Sequence, residues 1–257
     1  MSPGVAVSKM HGARNDFIVL DARAKTIDDL AAFARRWCDR RGGIGADGVL
    51  VVGNSSRAPV SMRVINADGS EAEMCGNGIR CVARYLDERG EGGELDVETR
   101  AGIIHTRVLE RGETYRVRVD MGVPRLESRD STAPQSAIVD VGNRHLVLFR
   151  ERIDAFDLES IGEASRDESV YPGGINVHLV EIESPASLRV RHYERGAGAT
   201  QACGTGAVAS AVAASERGDV RSPVLVRVPG GELTIEWNDD GRAYMTGPAV
   251  HVFDTTL

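Results

Sequence analysis

Lysine is scarce: Lys9 and Lys25 are the two lysines among 31 basic residues in a chain of 257. Pyridoxal-phosphate chemistry needs a buried Schiff-base lysine, and two candidates near the N-terminus support it poorly. Cysteine is also sparse. Cys38, Cys75, Cys81 and Cys203 form no CxxC pair and no disulfide framework, so neither zinc nor another metal is expected. Positive charge is not in excess: the net charge of −7 argues against nucleic acid held by phosphate contacts. Long apolar runs are missing too. The stretch from Ala207 to Ala214 includes a serine and falls far short of the ~20 residues of a membrane span. The opening MSPGVAVSKM lacks the basic and apolar blocks of a signal peptide. These absences predict a soluble cytoplasmic protein that works without cofactor, metal, membrane or nucleic acid.

What is present reads as an α/β (α+β) protein. DFIVLD, GVLVVG and VSMRVIN have the character of strands, and Asp28 to Arg41 has the apolar spacing of a helix. A polar loop ending in MCGNG leads to the helix IRCVARYLDERG, and alternating strands follow. Pro124 to Ser136, polar with two prolines, is the expected linker. Beyond it come a strand, a modest helix from Ile153 to Ser165, the strands GINVHLVEI and SLRVRHYE, and the helix AVASAVAASERG. Two hairpin-like pairs, VLVRVPGGELTIEW and AYMTGPAVHVF, close the chain.

The most informative feature is a repeat at an offset of 128 residues. It carries Asn15 onto Asn143, Gly48-Val49 onto Asn176-Val177, Asn66 onto Glu194 and Cys75 onto Cys203. MCGNG and ACGTG thus occupy equivalent places, each ahead of a helix. We expect two similar halves from an ancient duplication: 1–123, joined by a returning strand from 247–257, and 124–246.

In each CGxG the glycines permit a sharp turn and leave N–H groups uncovered at a helix start, a site that favours an anion and lowers a thiol pKa. One such turn is commonplace, a glycine bend with an incidental buried cysteine. Two, related by pseudo-symmetry, are expected to present two thiols across one cleft. That suits inversion of a stereocentre beside a carboxylate, with one thiolate as base and one thiol as acid. The N–H groups of Gly76-Asn77 and Gly204-Thr205 would hold the carboxylate and the charge that builds on it. A redox dithiol and a non-catalytic amino-acid binding protein are the readings from other classes.

These strings resemble the diaminopimelate epimerase family. The similarity runs through MHGARNDFIVLD, RRGGIGADGVL, INADGSEAEMCGNGIRC, VDVGNRHLVLF, GINVHLVEI, ERGAGATQACGTGA and PGGELTIEW with YMTGPAVHVF. The resemblance implies a pyridoxal-independent isomerase that interconverts LL- and meso-2,6-diaminopimelate for lysine and peptidoglycan synthesis. It implies two pseudo-symmetric halves, each a curled mixed sheet around a central helix, with the active site in the cleft between them, and a homodimer. It assigns Cys75 and Cys203 as the acid/base pair. Asn15, Asn66, Asn143 and Asn176 become substrate-binding asparagines, and Gly76, Asn77, Gly204 and Thr205 the helix ends that receive the reacting carboxylate. Glu194 would hold the ammonium or support a thiol, Arg195 would pair with the distal carboxylate, and His145 would assist proton balance.

Three positions depart from the family pattern. Arg14 stands where a second glycine is usual, Arg144 replaces a proline between Asn143 and His145, and Gly48 is the first-half counterpart of Asn176. The two arginines either add positive charge near the cleft or point to solvent, and they leave open a same-fold racemase for another amino acid.

Other signals are discounted. Gly43 to Gly48 spells GxGxxG, but a helix precedes it and a strand follows, the reverse of a dinucleotide site. Cys38 and Cys81 read as core residues. His11 sits beside the Asn15 loop, while His105, His178, His192 and His251 alternate with strand residues and show no ligand spacing.

Overall fold

A computed structural model describes residues 4–24, 27–129 and 135–257. The chain divides into two compact units, Met1–Val119 with Gly247–Leu257, and Asp120–Thr246.

In the first unit, β1 (Ala6–Gly12) and β2 (Asn15–Asp21) form a hairpin, and α1 (Leu30–Trp37) leads to β3 (Gly48–Gly53), parallel to β2. Next come β4 (Val60–Asn66), the two-residue β5 (Glu71–Ala72), α2 (Gly76–Asp87), β6 (Glu94–Thr99), β7 (Gly102–Glu110) and β8 (Tyr115–Asp120). β4 runs antiparallel to β3 and parallel to β6, while β6, β7 and β8 form an antiparallel meander.

The second unit repeats this plan with β9 (Arg125–Arg129), β10 (Ser136–Asp140), β11 (Arg144–Phe149), a 3₁₀ turn at Ile153–Ala155 and α3 (Leu158–Ala164). It continues through β12 (Asn176–Ser184), β13 (Ser187–Glu194), β14 (Gly198–Thr200), α4 (Gly204–Glu216), β15 (Val224–Val228), β16 (Gly231–Trp237) and the start of β17 (Ala243–Thr256), whose residues from Gly247 onward belong to the first unit. β11–β12 and β13–β15 are the parallel pairs, matching β2–β3 and β4–β6. The fold is therefore mixed α+β, a curled sheet around one helix in each unit, as expected.

In unit one the strands close on themselves, because β17 pairs with both β1 and β8. The enclosed helix α2 is buried from Gly76 to Leu86. Ile79, Val82 and Leu86 are fully buried there, a contribution of about 1.5–3 kcal/mol each. β2 and β3 are buried on both faces, which explains their unbroken apolar runs. Ile18, Leu20, Val49 and Val51 pack with Ala34 of α1, whereas the alternate residue Leu50 turns toward Gly78 of α2. In unit two, Leu146, Val177 and Leu179 pack with Leu158 of α3, and His178 turns toward Gly206 of α4.

Three sequence expectations change. The linker at Pro124–Ser136 contributes strand β9, paired with β10 through a bulge, and residues 130–134 of that stretch lie outside the described residues. Its polar, alternating residues suit an edge of the sheet as well as they suit a loop. The closing AYMTGPAVHVF is one 14-residue strand and not a hairpin, because pairing with β16 and then with β1 keeps it extended through Gly247-Pro248. α1 is shorter than 28–41, starting after Asp29, whose side chain caps Ala32 N–H, and ending ahead of Cys38. No helix among the described residues is long and apolar enough to cross a membrane.

Candidate active site

Each unit carries a cysteine at the N-cap of its enclosed helix. Cys75 has extended backbone dihedrals and is half-buried, and its sulfur accepts the Gly78 N–H at 3.4 Å. Asn15, at the start of β2, accepts through Oδ1 from the Cys75 thiol at 3.7 Å and from Asn77 Nδ2 at 3.2 Å. Its own Nδ2 donates to Asp47 at 2.7 Å, so its amide orientation is fixed from both ends. Asp47 in turn belongs to a charge network with Arg40, Asp16 and Lys9. Burial opposes ionisation of Asp16, yet hydrogen bonds from Arg40 and Lys9 prevail and hold its carboxyl down to about 2. Lys9 is thus engaged with Asp16, the only one of the two lysines among the described residues.

Sequence reasoning missed Arg80. It is fully buried one turn into α2, donating to Gly76 O at 3.0 Å, Asn77 Oδ1 at 2.9 Å and Pro248 O at 3.1 Å. Burial brings its pKa down to about 10, so it remains a cation at neutral pH behind the Gly76-Asn77 turn. Gly12 completes the arrangement: a Cβ there would stand 2.8 Å from Asn77 O and 2.9 Å from Arg80 Nη2.

Asn66, closing β4, donates to Ser70 Oγ at 2.9 Å and shapes the NADGS turn. Gly48, opposite Asn66 in the β3–β4 ladder, has no room for a side chain; a Cβ would lie 2.7 Å from Ile65 O.

In unit two, Cys203 is buried and its sulfur lies 3.6 Å from Thr205 Oγ1. Burial first, and then the negative charge of Glu194, push its pKa well above the ordinary thiol value. Glu194 Oε1 accepts from Thr200 at 2.6 Å. Asn176 accepts the Arg195 N–H at 2.9 Å and donates to Arg144 O at 3.2 Å, so its amide braces the backbone beside both arginines. The exposed Arg195 guanidinium bonds Gly173 O.

His145 is fully buried, with Nε2 2.8 Å from Asn143 Oδ1 and Nδ1 2.7 Å from His178 Nε2. His178 Nδ1 lies 2.8 Å from His192 Nδ1. Burial takes the pKa of His145 and of His192 to about 3 and that of His178 well below its usual value, so all three rings are neutral at working pH.

The departures from the family pattern resolve individually. Arg14 is exposed at φ 62° beside Ala13 at φ 51°, the paired left-handed residues of the tight β1–β2 hairpin. Arg144 is half-exposed and pairs with Glu127 at 2.9 Å. Cys38 and Cys81 are buried core residues, and burial raises their thiols to about 11 and about 12. His11 lies on β1, half-buried. His105 bridges Asp96 and Glu94 on the surface, and His251 meets Asp254.

The sequence of the diaminopimelate epimerase family matches residues 7–127 and 137–252. This chain belongs to that family. It is 42% identical to the diaminopimelate epimerase of Desulfitobacterium hafniense over 98% of its own length and 97% of that protein. With the diaminopimelate epimerase of Moorella thermoacetica the identity is 44%, covering 95% and 96%. As a member of this family the protein is an isomerase. Among solved structures it resembles a hydroxyproline epimerase from Agrobacterium vitis (TM-score 0.74, 15% identity, 100% and 93% covered). It also resembles a phenazine biosynthesis protein from Bacillus anthracis (TM-score 0.72, 16% identity, 98% of both chains). At those identities the likeness extends to the fold.

Proposed function

We propose that this isomerase interconverts LL- and meso-2,6-diaminopimelate by passing an α-proton between two cysteine sulfurs, without a cofactor. The observation that carries the reading is the matched pair of N-cap thiols, Cys75 on α2 and Cys203 on α4, each at the start of a buried helix.

In one direction the Cys75 thiolate takes the α-proton, and the C–H electron pair moves into the carboxylate. The Cys203 thiol then returns a proton to the opposite face, leaving the sulfurs with exchanged protonation, ready for the reverse reaction. The Gly78 N–H at the start of α2 donates to the Cys75 sulfur. Burial and Glu194 keep the proton on Cys203. The N–H groups at Gly76-Asn77 and Gly204-Thr205 hold the reacting carboxylate, where each donor to a developing oxyanion is worth about 2.7–4 kcal/mol. Asn15, Asn66, Asn143 and Asn176 line or brace the substrate site, His145 sets Asn143, and Arg195 pairs with the distal carboxylate. The same reading makes the protein a cytoplasmic homodimer that serves lysine and peptidoglycan synthesis.

Incubation with LL-diaminopimelate in D₂O is expected to give meso product carrying deuterium at one α-carbon. Exchange of other amino acids in its place would establish a same-fold racemase. Rapid turnover with thioredoxin-like partners and no isomerisation would establish a redox protein.

A further inference from the structure

The offset of 128 residues carries Phe17, Leu50 and Val64 onto His145, His178 and His192. The strand registers agree, with Leu50 opposite Val64 in β3–β4 and His178 opposite His192 in β12–β13. Unit one therefore fills this space with hydrocarbon, whereas unit two fills it with three fully buried imidazoles. Buried polar rings cost stability unless hydrogen-bonded, so packing alone does not account for the exchange.

The direction of the chain follows from its ends. A neutral imidazole has one donor and one acceptor nitrogen. Asn143 Oδ1 accepts, so His145 Nε2 carries hydrogen and its Nδ1 is an acceptor. His178 must then donate through Nε2 and accept through Nδ1, and His192 must donate through Nδ1. His192 Nε2 is left as a bare, buried acceptor, and it has no partner among the described residues. The opposite order would turn the Asn143 amide around and bury an N–H donor at His192 Nε2, and orphaned buried N–H groups are the rarer and costlier case.

Unit two also lacks the parts that orient Asn15 in unit one. Asp47 and Asn77 hold the Asn15 amide. Their counterparts at the same offset are Ile175 and Thr205. Ile175 has no polar side-chain atom.

The geometry points to His178 and His192 as positioning residues that act through His145, locking exposed Asn143 with its amide N–H₂ group presented to an anionic ligand oxygen. The ligand half of this inference rests on Asn143 belonging to the substrate site; the chain itself does not. A glycine at 206 is required by the same device, since a Cβ there would lie 2.4 Å from His178 Cε1.

Long-range ¹H–¹⁵N spectra of histidine-labelled protein, free of substrate, test the chain directly. The expected tautomers are Nε2–H for His145 and His178, and the less common Nδ1–H for His192. Nε2–H at His192 or Nδ1–H at His145 would overturn the assignment, whatever reaction the protein catalyses. H178L places in unit two the leucine that already fits against glycine in unit one. It should keep the circular dichroism of the parent and raise KM for LL-diaminopimelate about tenfold with kcat within about twofold, one hydrogen bond of roughly 1.4 kcal/mol being lost. H178Q, with a donor and an acceptor, should recover part of that loss. An unchanged KM in folded H178L would refute the link to Asn143, and H192V supplies the same reading should H178L not fold.

Discussion

Acidification from pH 7 to pH 5 should remove several kcal/mol of this protein's stability, through the three buried imidazoles. In the folded state their pKa values are depressed by burial, those of His145 and His192 to about 3. Unfolded histidine titrates near 6.5. A depressed folded pKa contributes stability that is complete above the unfolded value and is lost as pH falls toward the folded one. Below pH 6.5 the unfolded chain takes up protons that the folded chain refuses, a loss approaching about 1.4 kcal/mol per pH unit for each ring. Between pH 7 and pH 5 this integrates to about 2 kcal/mol each for His145 and His192, and His178, whose pKa is shifted the same way, adds to the loss, against a typical total of about 5–15 kcal/mol. Urea unfolding at pH 7, 6 and 5 measures it. The H178L/H192V double variant should lose only about 2 kcal/mol over the same range. Equal slopes for parent and double variant would refute the reasoning.

Three further outcomes follow from particular residues. Gly206→Ala should destabilise by about 1–3 kcal/mol, because its Cβ meets a ring hydrogen-bonded at both nitrogens; Gly78→Ala should cost less, since it meets the flexible end of Leu50, and equal midpoints in urea would contradict this. Arg14→Gly should raise stability by about 0.5–1 kcal/mol by relieving the left-handed conformation at φ 62°, and a lower melting temperature would count against it. Limited alkylation followed by peptide mass spectrometry should find Cys75 modified first, because Cys38, Cys81 and Cys203 are buried with raised pKa values; early labelling of Cys203 would reverse that order.

The repeat made the architecture legible. One offset aligned Cys75 with Cys203, and the same offset carries α1 onto α3, α2 onto α4 and each strand of the first unit onto one of the second. The strand at 125–129 was obscured because its residues are polar, and alternation on an edge strand looks like a loop. The unbroken β17 was hidden by Gly247-Pro248, a pair that normally marks a turn. At the site, the cysteines and their glycines could be read from the sequence because the repeat pairs them, and Gly78 and Gly206 are held by space, a Cβ meeting Leu50 and His178. Arg80 and the histidine chain could not, since a lone arginine on a helix or a lone histidine on a strand has many uses. Their meaning lies in which face of the strand or helix they occupy. Comparing the halves position by position would have exposed the histidines, because three apolar residues become three imidazoles at one offset.

Both sulfurs are proposed to serve one α-carbon. The direct measurement is stereochemical inversion of diaminopimelate by C75S and C203S, with α-hydrogen exchange into D₂O followed in the same samples. Each single variant should lose inversion by at least about a thousandfold while retaining its fold, and slow exchange from one stereoisomer is expected to persist where one base remains. Inversion at the parental rate by either variant would contradict the account.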